Sequence, residues 1–188
     1  MSHIALVVEG HGDVAAVPAL VRRYLAVRSH SGVRVGKPLN AKDRGKLLKE
    51  GELERFARLA AMEPGAGALI VLFDADKDPA CELGPEALSR ISSCVDVPVK
   101  VCLAVREYEN WIMASAETVF NNVTALEDPE GKGAVHAIKQ ALQPRAYVKP
   151  RDQPALSHLI DFGLARDRCP SLNRFLTIID ELAAVCKP

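Results

Sequence analysis

Unbroken apolar runs alternate with stretches of helical spacing along the first part of the chain. Ile4-Ala5-Leu6-Val7-Val8 is closed by Glu9-Gly10. Ala68-Leu69-Ile70-Val71-Leu72-Phe73 lies between the turn Pro64-Gly65-Ala66-Gly67 and the acidic segment Asp74-Ala75-Asp76-Lys77-Asp78-Pro79. Runs without polar alternation predict strands buried on both faces. Shorter strands are predicted at 32–35 and 97–105. From Asp13 to Val27 the spacing becomes helical, with Val14, Val17, Leu20, Val21 and Leu25 on one side and Arg22, Arg23 and Arg28 on the other. Asp13 suits an N-cap, and Pro18 comes early enough to be tolerated. After a loop with Gly36, Pro38 and Asn40, a mostly polar helix is predicted over 41–62, weakened by Gly45 and Gly51. Gly84-Pro85 opens a helix over 84–93 with proline at its first position. Further helices are expected after Trp111 and near 133–142, 153–165 and 171–185. This order predicts an α/β fold: a mostly parallel, Rossmann-like four-stranded sheet flanked by helices. Residues 1–118 form the α/β core, and 119–188 a helical C-terminal extension packed on the same domain.

Composition narrows the function. At 188 residues, 48% apolar and 26% charged, the chain matches one ordinary globular domain. Lys+Arg and Asp+Glu both number 24, so nucleic acid cannot be held by overall charge and would need a local patch. One exists: Arg34, Lys37, Lys42, Arg44, Lys46 and Lys49 face only Asp43, six basic residues against one acidic. Lys42, Arg44 and Lys46 are its candidate phosphate contacts; the alternative is a solvated helix face. Five cysteines with no C-x-x-C pair argue for reduced thiols. With no signal-peptide pattern and no apolar run long enough for a bilayer, a cytoplasmic protein without a membrane partner is expected. Gly131-Lys132-Gly133 lacks phosphate-loop spacing, so the chain is not itself a P-loop ATPase.

The chemistry gathers at strand ends. The first strand ends at Glu9, the third at Asp74 and Asp76, and the fourth at Glu107 and Glu109. Ligands of open parallel sheets bind at this edge. Strands about 4.8 Å apart would let the acids of neighbours share a cation. In an extended segment Asp74 and Asp76 would point the same way. A hard cation such as Mg²⁺ takes oxygen ligands of this kind and relieves their repulsion. Each acid also has an ordinary reading, Asp13 as an N-cap and Asp78 before Pro79 as a turn residue. Three separate segments delivering acids to one edge are more specific than any one of them.

Val7-Val8-Glu9-Gly10-His11-Gly12-Asp13 together with Leu72-Phe73-Asp74-Ala75-Asp76 resembles the Toprim domain of topoisomerases, primases and OLD-family nucleases. The OLD-like branch shows V-E-G-x-T-E; here Gly12 replaces the Thr and Asp13 is a shorter acid. Glu109-Asn110-Trp111-Ile112-Met113-Ala114, Lys149-Pro150 and Cys169-Pro170-Ser171-Leu172-Asn173-Arg174-Phe175 resemble segments of small stand-alone bacterial Toprim-like proteins. The resemblance implies a Mg²⁺- or Mn²⁺-dependent nuclease acting on DNA or RNA phosphodiesters. It implies metal ligands at Glu9, Asp74 and Asp76, joined by Asp13 and Glu109. Glu9, Asp74, Asp76 and the late lysine, Lys149, would be the catalytic residues. It also implies a role in phage defence with a separately encoded ATPase partner; homo-oligomerisation stays open.

Two other readings are compatible with the residues. Phe73-Asp74-Ala75-Asp76 also resembles the strand-end D-x-D of haloacid dehalogenase-type phosphatases, which would make Asp74 a nucleophile but leave Glu9 unexplained. The altered Gly12-Asp13 pair fits a non-enzymatic, partner-binding module. Beside the acids, His11 is a candidate phosphate or proton donor. His158 and Trp111 are expected in packing, and none of Tyr24, Tyr108 and Tyr147 stands out as a nucleophile.

Overall fold

The computed structural model describes residues 2–30 and 32–186. The strands are β1 (His3–Val8), β2 (Arg34–Val35), β3 (Leu39–Asn40), β4 (Ala66–Asp74) and β5 (Val99–Ala104). The helices are α1 (Asp13–Val27), α2 (Arg44–Leu47), α3 (Glu52–Ala61), α4 (Ala80–Ser92), α5 (Glu109–Met113), α6 (Ala116–Val119), α7 (Ala134–Ala141), α8 (Lys149–Ser157), α9 (Phe162–Arg168) and α10 (Pro170–Val185). Sheet order is β2-β1-β4-β5, every pairing is parallel, and β3 extends the sheet along the β2 edge of β1.

The sheet therefore has five strands where the sequence predicts four. β2 pairs with the start of β1 and β3 with its end, so one edge line is interrupted around Pro38, which has no amide to donate. The segment read as a loop thus carries Asn40 to the carboxyl end of β1. Helix boundaries moved for local reasons. The polar helix predicted over 41–62 is two helices, parted near Gly51, whose φ of +76° suits glycine. The helix expected from Gly84 starts at Ala80 behind Pro79, which leaves Pro85 inside it. The helix expected over 153–165 is split into α8 and α9 and begins earlier, at Lys149.

Two apolar layers sandwich the sheet, and strand alternation sorts residues between them. Ile4, Leu6, Val8, Ile70 and Leu72 face a layer built with α1 and the helices from α5 onward. Val7, Leu69, Val71 and Phe73 face the layer built with α2, α3 and α4. Covering on both faces is the reason β1 and β4 read as unbroken apolar runs. The extension belongs to the first layer: Leu172, Phe175, Leu176 and Ile179 of α10 are fully buried against it. Thr118, where the sequence would divide core from extension, lies inside α6.

Trp111 occupies the seam. It is wholly buried, its ring stacks on Phe175 at 5.0 Å, and its indole N–H donates to Ser171 Oγ at 2.9 Å. The two distant segments carrying the weaker resemblance therefore touch one another. Glu130 completes the junction by accepting from the Ser171 amide at 2.5 Å. All five cysteines are free thiols. Among the described residues no helix is long and apolar enough to cross a membrane.

Candidate active site at the strand ends

Adjacent parallel strands β1 and β4 bring Glu9 and Asp74 together: Glu9 Oε2 accepts from the Asp74 amide at 2.9 Å. Asp74 Oδ1 accepts from the Tyr108 amide at 2.9 Å, in the turn leaving β5. Asp13 is the first residue of α1 and not its cap, which is Gly12. Its carboxylate instead accepts from the Gly10 amide at 3.0 Å and from Gln153 Nε2 at 2.8 Å, so α8 reaches into the site. Glu109, at the start of α5, is 0% exposed; its Oε1 accepts from Tyr147 Oη at 2.8 Å and pairs with Lys149 Nζ at 3.1 Å. Its Oε2 is buried with no hydrogen-bond partner.

The charges are frustrated. Burial, and then the neighbouring Asp13 and Glu9, push the Asp74 carboxyl well above its ordinary range. Burial likewise raises Asp13 and Glu9, partly offset by their backbone hydrogen bonds. Lys149 is the cation they share. Burial works against its charge, but Glu109, Asp74 and Asp13 outweigh it and raise the ammonium above its usual value.

Gly12 is explained here. A Cβ on it would lie 1.9 Å from Gln153 Oε1 and 3.3 Å from Lys149 Cβ. A side chain here, such as the threonine of the resembled motif, would force the Gln153 side chain to move off Asp13.

Other expected site residues lie elsewhere. β4 ends at Asp74, and Asp76 has φ +53°, so the extended geometry that would align the two carboxylates is absent. Asp76 turns outward, its side chain 58% exposed, and pairs with Arg44 Nη1 at 3.4 Å. Arg44 also pairs with Asp78, which is therefore more than a turn former. The basic patch is divided: Arg44 is engaged with these acids, while Lys46 lines a separate open surface with Lys49 and Arg55. Lys42 is exposed on a left-handed turn, φ +80°. His11 is exposed, its Nδ1 3.3 Å from Asn40 Nδ2. Glu107 accepts from the Val135 amide at 3.3 Å and so serves the start of α7. His158, expected in packing, is exposed at the end of α8. Tyr108 is buried against Ser157, Oη to Oγ 2.8 Å. The sequence marks neither Gln153 nor the role of Tyr147, weighed there only as a nucleophile, because a lone glutamine or tyrosine in an irregular polar stretch has no pattern to mark it.

A family model described as "Domain of unknown function (DUF4276)" matches residues 8–180. The chain belongs to this family. The DUF4276 match runs from the last residue of β1 into α10, so it takes in both the acidic centre and the extension that supplies Lys149. No curated protein and no solved structure matches the chain.

The donor set of this DUF4276 protein suits a hard divalent cation. Glu9, Asp13, Asp74 and Glu109 offer only oxygens, repel one another in a desolvated setting, and include one orphaned carboxylate oxygen. Among the described residues, however, no group of three or more His, Cys, Asp and Glu is arranged to hold a metal ion as it stands.

Proposed function

We propose that this protein is a Toprim-like, Mg²⁺- or Mn²⁺-dependent nuclease that hydrolyses nucleic-acid phosphodiesters at the carboxyl ends of β1 and β4. The observation carrying the reading is the half-buried trio Glu9, Asp13 and Asp74 beside Lys149: partial burial raises all three carboxyls, and neighbouring carboxylates add to it. Such frustration is maintained at functional sites more than elsewhere. Glu9, Asp13 and Asp74 would hold the cation, with Glu109 beside them. When bound, it would polarise a phosphoryl oxygen and lower the pKa of a coordinated water. Lys149, paired with Glu109, would bind a non-bridging phosphate oxygen or the leaving oxygen. Tyr147 and Gln153 fix Glu109 and Asp13 through their hydrogen bonds. His11 lies on the exposed side, where a proton donor would meet a leaving group.

The test is calorimetric titration of Mg²⁺ and Mn²⁺ into wild type and a Glu9→Gln/Asp74→Asn variant, followed by cleavage of labelled DNA and RNA. Binding and cleavage are expected in the wild type and absent from the variant. Cleavage that survives in the folded variant would sink the assignment.

A second reading, a non-catalytic partner-binding module, is favoured by the way Lys149 and Arg44 already neutralise acids of this edge, and by the lack of an arranged ligand group among the described residues. It takes precedence if wild type binds neither metal, alone or with oligonucleotide present.

A further inference from the structure

Next to the acidic centre, the turns after β4 and β5 and the turn before α7 border an open crevice of about 600 Å³. That is ample room for a ligand of nucleotide size. Four cations line it: Arg44, Lys77, Arg106 and Lys132. Three acids line it too, Asp76 and Asp78 paired with Arg44 and Glu107 bonded to the Val135 amide, so the cations exceed them by one charge. Lys77, Arg106 and Lys132 have no carboxylate partner among the described residues. Three cations without an ion-pair partner on one lining favour an anionic ligand there.

The crevice is also built on fixed supports. Arg106 has φ +64° and Asp76 φ +53°, conformations rare for residues with side chains, and the Asp76 amide donates to the Arg106 carbonyl at 2.9 Å. The two turns therefore hold one another. On the third side, buried Asn110 donates through Nδ2 to the Pro129 and Gly131 carbonyls at 2.7 and 2.9 Å. That pair of bonds anchors the loop just before Lys132.

No aromatic side chain lines the crevice, so bases have nothing to stack on, and the available contacts are to phosphate. Asp74 and Asp76 belong to one short segment, which makes the acidic centre and the crevice neighbours along a single strand end. We propose that Lys77, Arg106 and Lys132 form a phosphate subsite that holds the backbone of a nucleic-acid strand next to the acidic centre, without reading its sequence. The inference rests on the nuclease reading for what happens at the acids, but not for binding at the crevice. It also replaces the patch that the sequence singles out, since Arg44 is neutralised and Lys42 and Lys46 lie outside the crevice lining.

The test is fluorescence anisotropy of a short labelled single-stranded DNA with the full-length protein in EDTA, so that neither metal binding nor cleavage enters. An Arg106→Gly/Lys132→Ala variant, glycine being at ease at that φ, should bind about tenfold more weakly or worse, and its log affinity should depend less steeply on log salt by about 1.4, two phosphate contacts at roughly 0.7 each. A Lys77→Ala/Lys132→Ala variant changes only exposed side chains and reads the same loss should Arg106→Gly unfold. A Lys42→Ala/Lys46→Ala variant is expected to match wild type. Affinity lost in that last variant and kept in the other two would overturn the subsite. So would a wild type that fails to bind the strand in EDTA, or one that binds inorganic phosphate or ADP in its place. Loss of metal binding in the calorimetric test, with strand binding intact here, would remove the nuclease and leave the subsite.

Discussion

At the scale of single residues, Asp74 sets stability against function. Its carboxyl is held above the ordinary range by burial and by Asp13 and Glu9, so the native state binds that proton more tightly than the unfolded chain does. A raised acid lowers stability as pH rises from the unfolded value, about 3.9, through the folded one. Asp74→Asn keeps an acceptor for the Tyr108 amide and removes the charge. It is expected to stabilise the metal-free protein at neutral pH by about 0.5–2 kcal/mol, with the gain fading in acid and cleavage lost. Denaturant midpoints at both pH values check it; a variant less stable than wild type at neutral pH would refute the repulsion argument.

Gly12 offers a steric counterpart. Gly12→Ala should cost about 1–3 kcal/mol, because the added methyl meets the buried Gln153 amide. Combining it with Gln153→Ala should recover part of the loss, a coupling that a double-mutant cycle measures. Additive losses would show that the two positions do not conflict. The Val-Glu-Gly stretch and the paired aspartates were legible in the sequence because strand ends have a local signature. The direction of Asp76 was not: it depends on one left-handed residue and on Arg44, thirty-two positions away.

At the scale of elements, α8 decides what the acids can do, since it delivers both Lys149 and Gln153. Asp152 secures the entry to this helix: its carboxylate accepts from the Val148 amide at 2.6 Å and is paired with Arg151 and Arg145. The Arg151 hydrogen bond, with those of Val148 and Arg145, holds the carboxyl well below its usual range. Here the sign is opposite to that of Asp74. The stabilisation is present above the unfolded pKa, about 3.9, and is lost as pH falls toward the folded value. Asp152→Asn should destabilise at neutral pH by about 1–3 kcal/mol, and the difference from wild type should shrink below pH 4. A difference independent of pH would mean that the charge plays no part. The break between α8 and α9 was invisible to helical periodicity, which continues across it. The strands β1 and β4 were legible because uniform burial leaves uniform composition.

At the scale of the whole molecule, the extension is not an appendage. Phe175, Leu176 and Ile179 pack in the same layer as Ile4 and Ile70, and Trp111 stacks directly on Phe175. Residues 1–118 alone should therefore lack a cooperative unfolding transition, which circular dichroism during heating would check. A cooperative, native-like melt would restore the division into core and extension. The acidic centre is likewise a property of the whole chain: Glu9 and Asp13 come from its start, Asp74 and Glu109 from its middle, and Lys149 and Gln153 from its last third.

The sequence by itself determined the parallel α/β sheet and the gathering of acids at its carboxyl edge. Burial on two faces writes itself into composition, and strand ends are local events. Tertiary structure alone decided which acids share the site, where the basic residues turn, and why position 12 is glycine. Those outcomes depend on contacts between segments far apart in the chain, such as Asp13 with Gln153 and Glu109 with Lys149, and no local pattern encodes them.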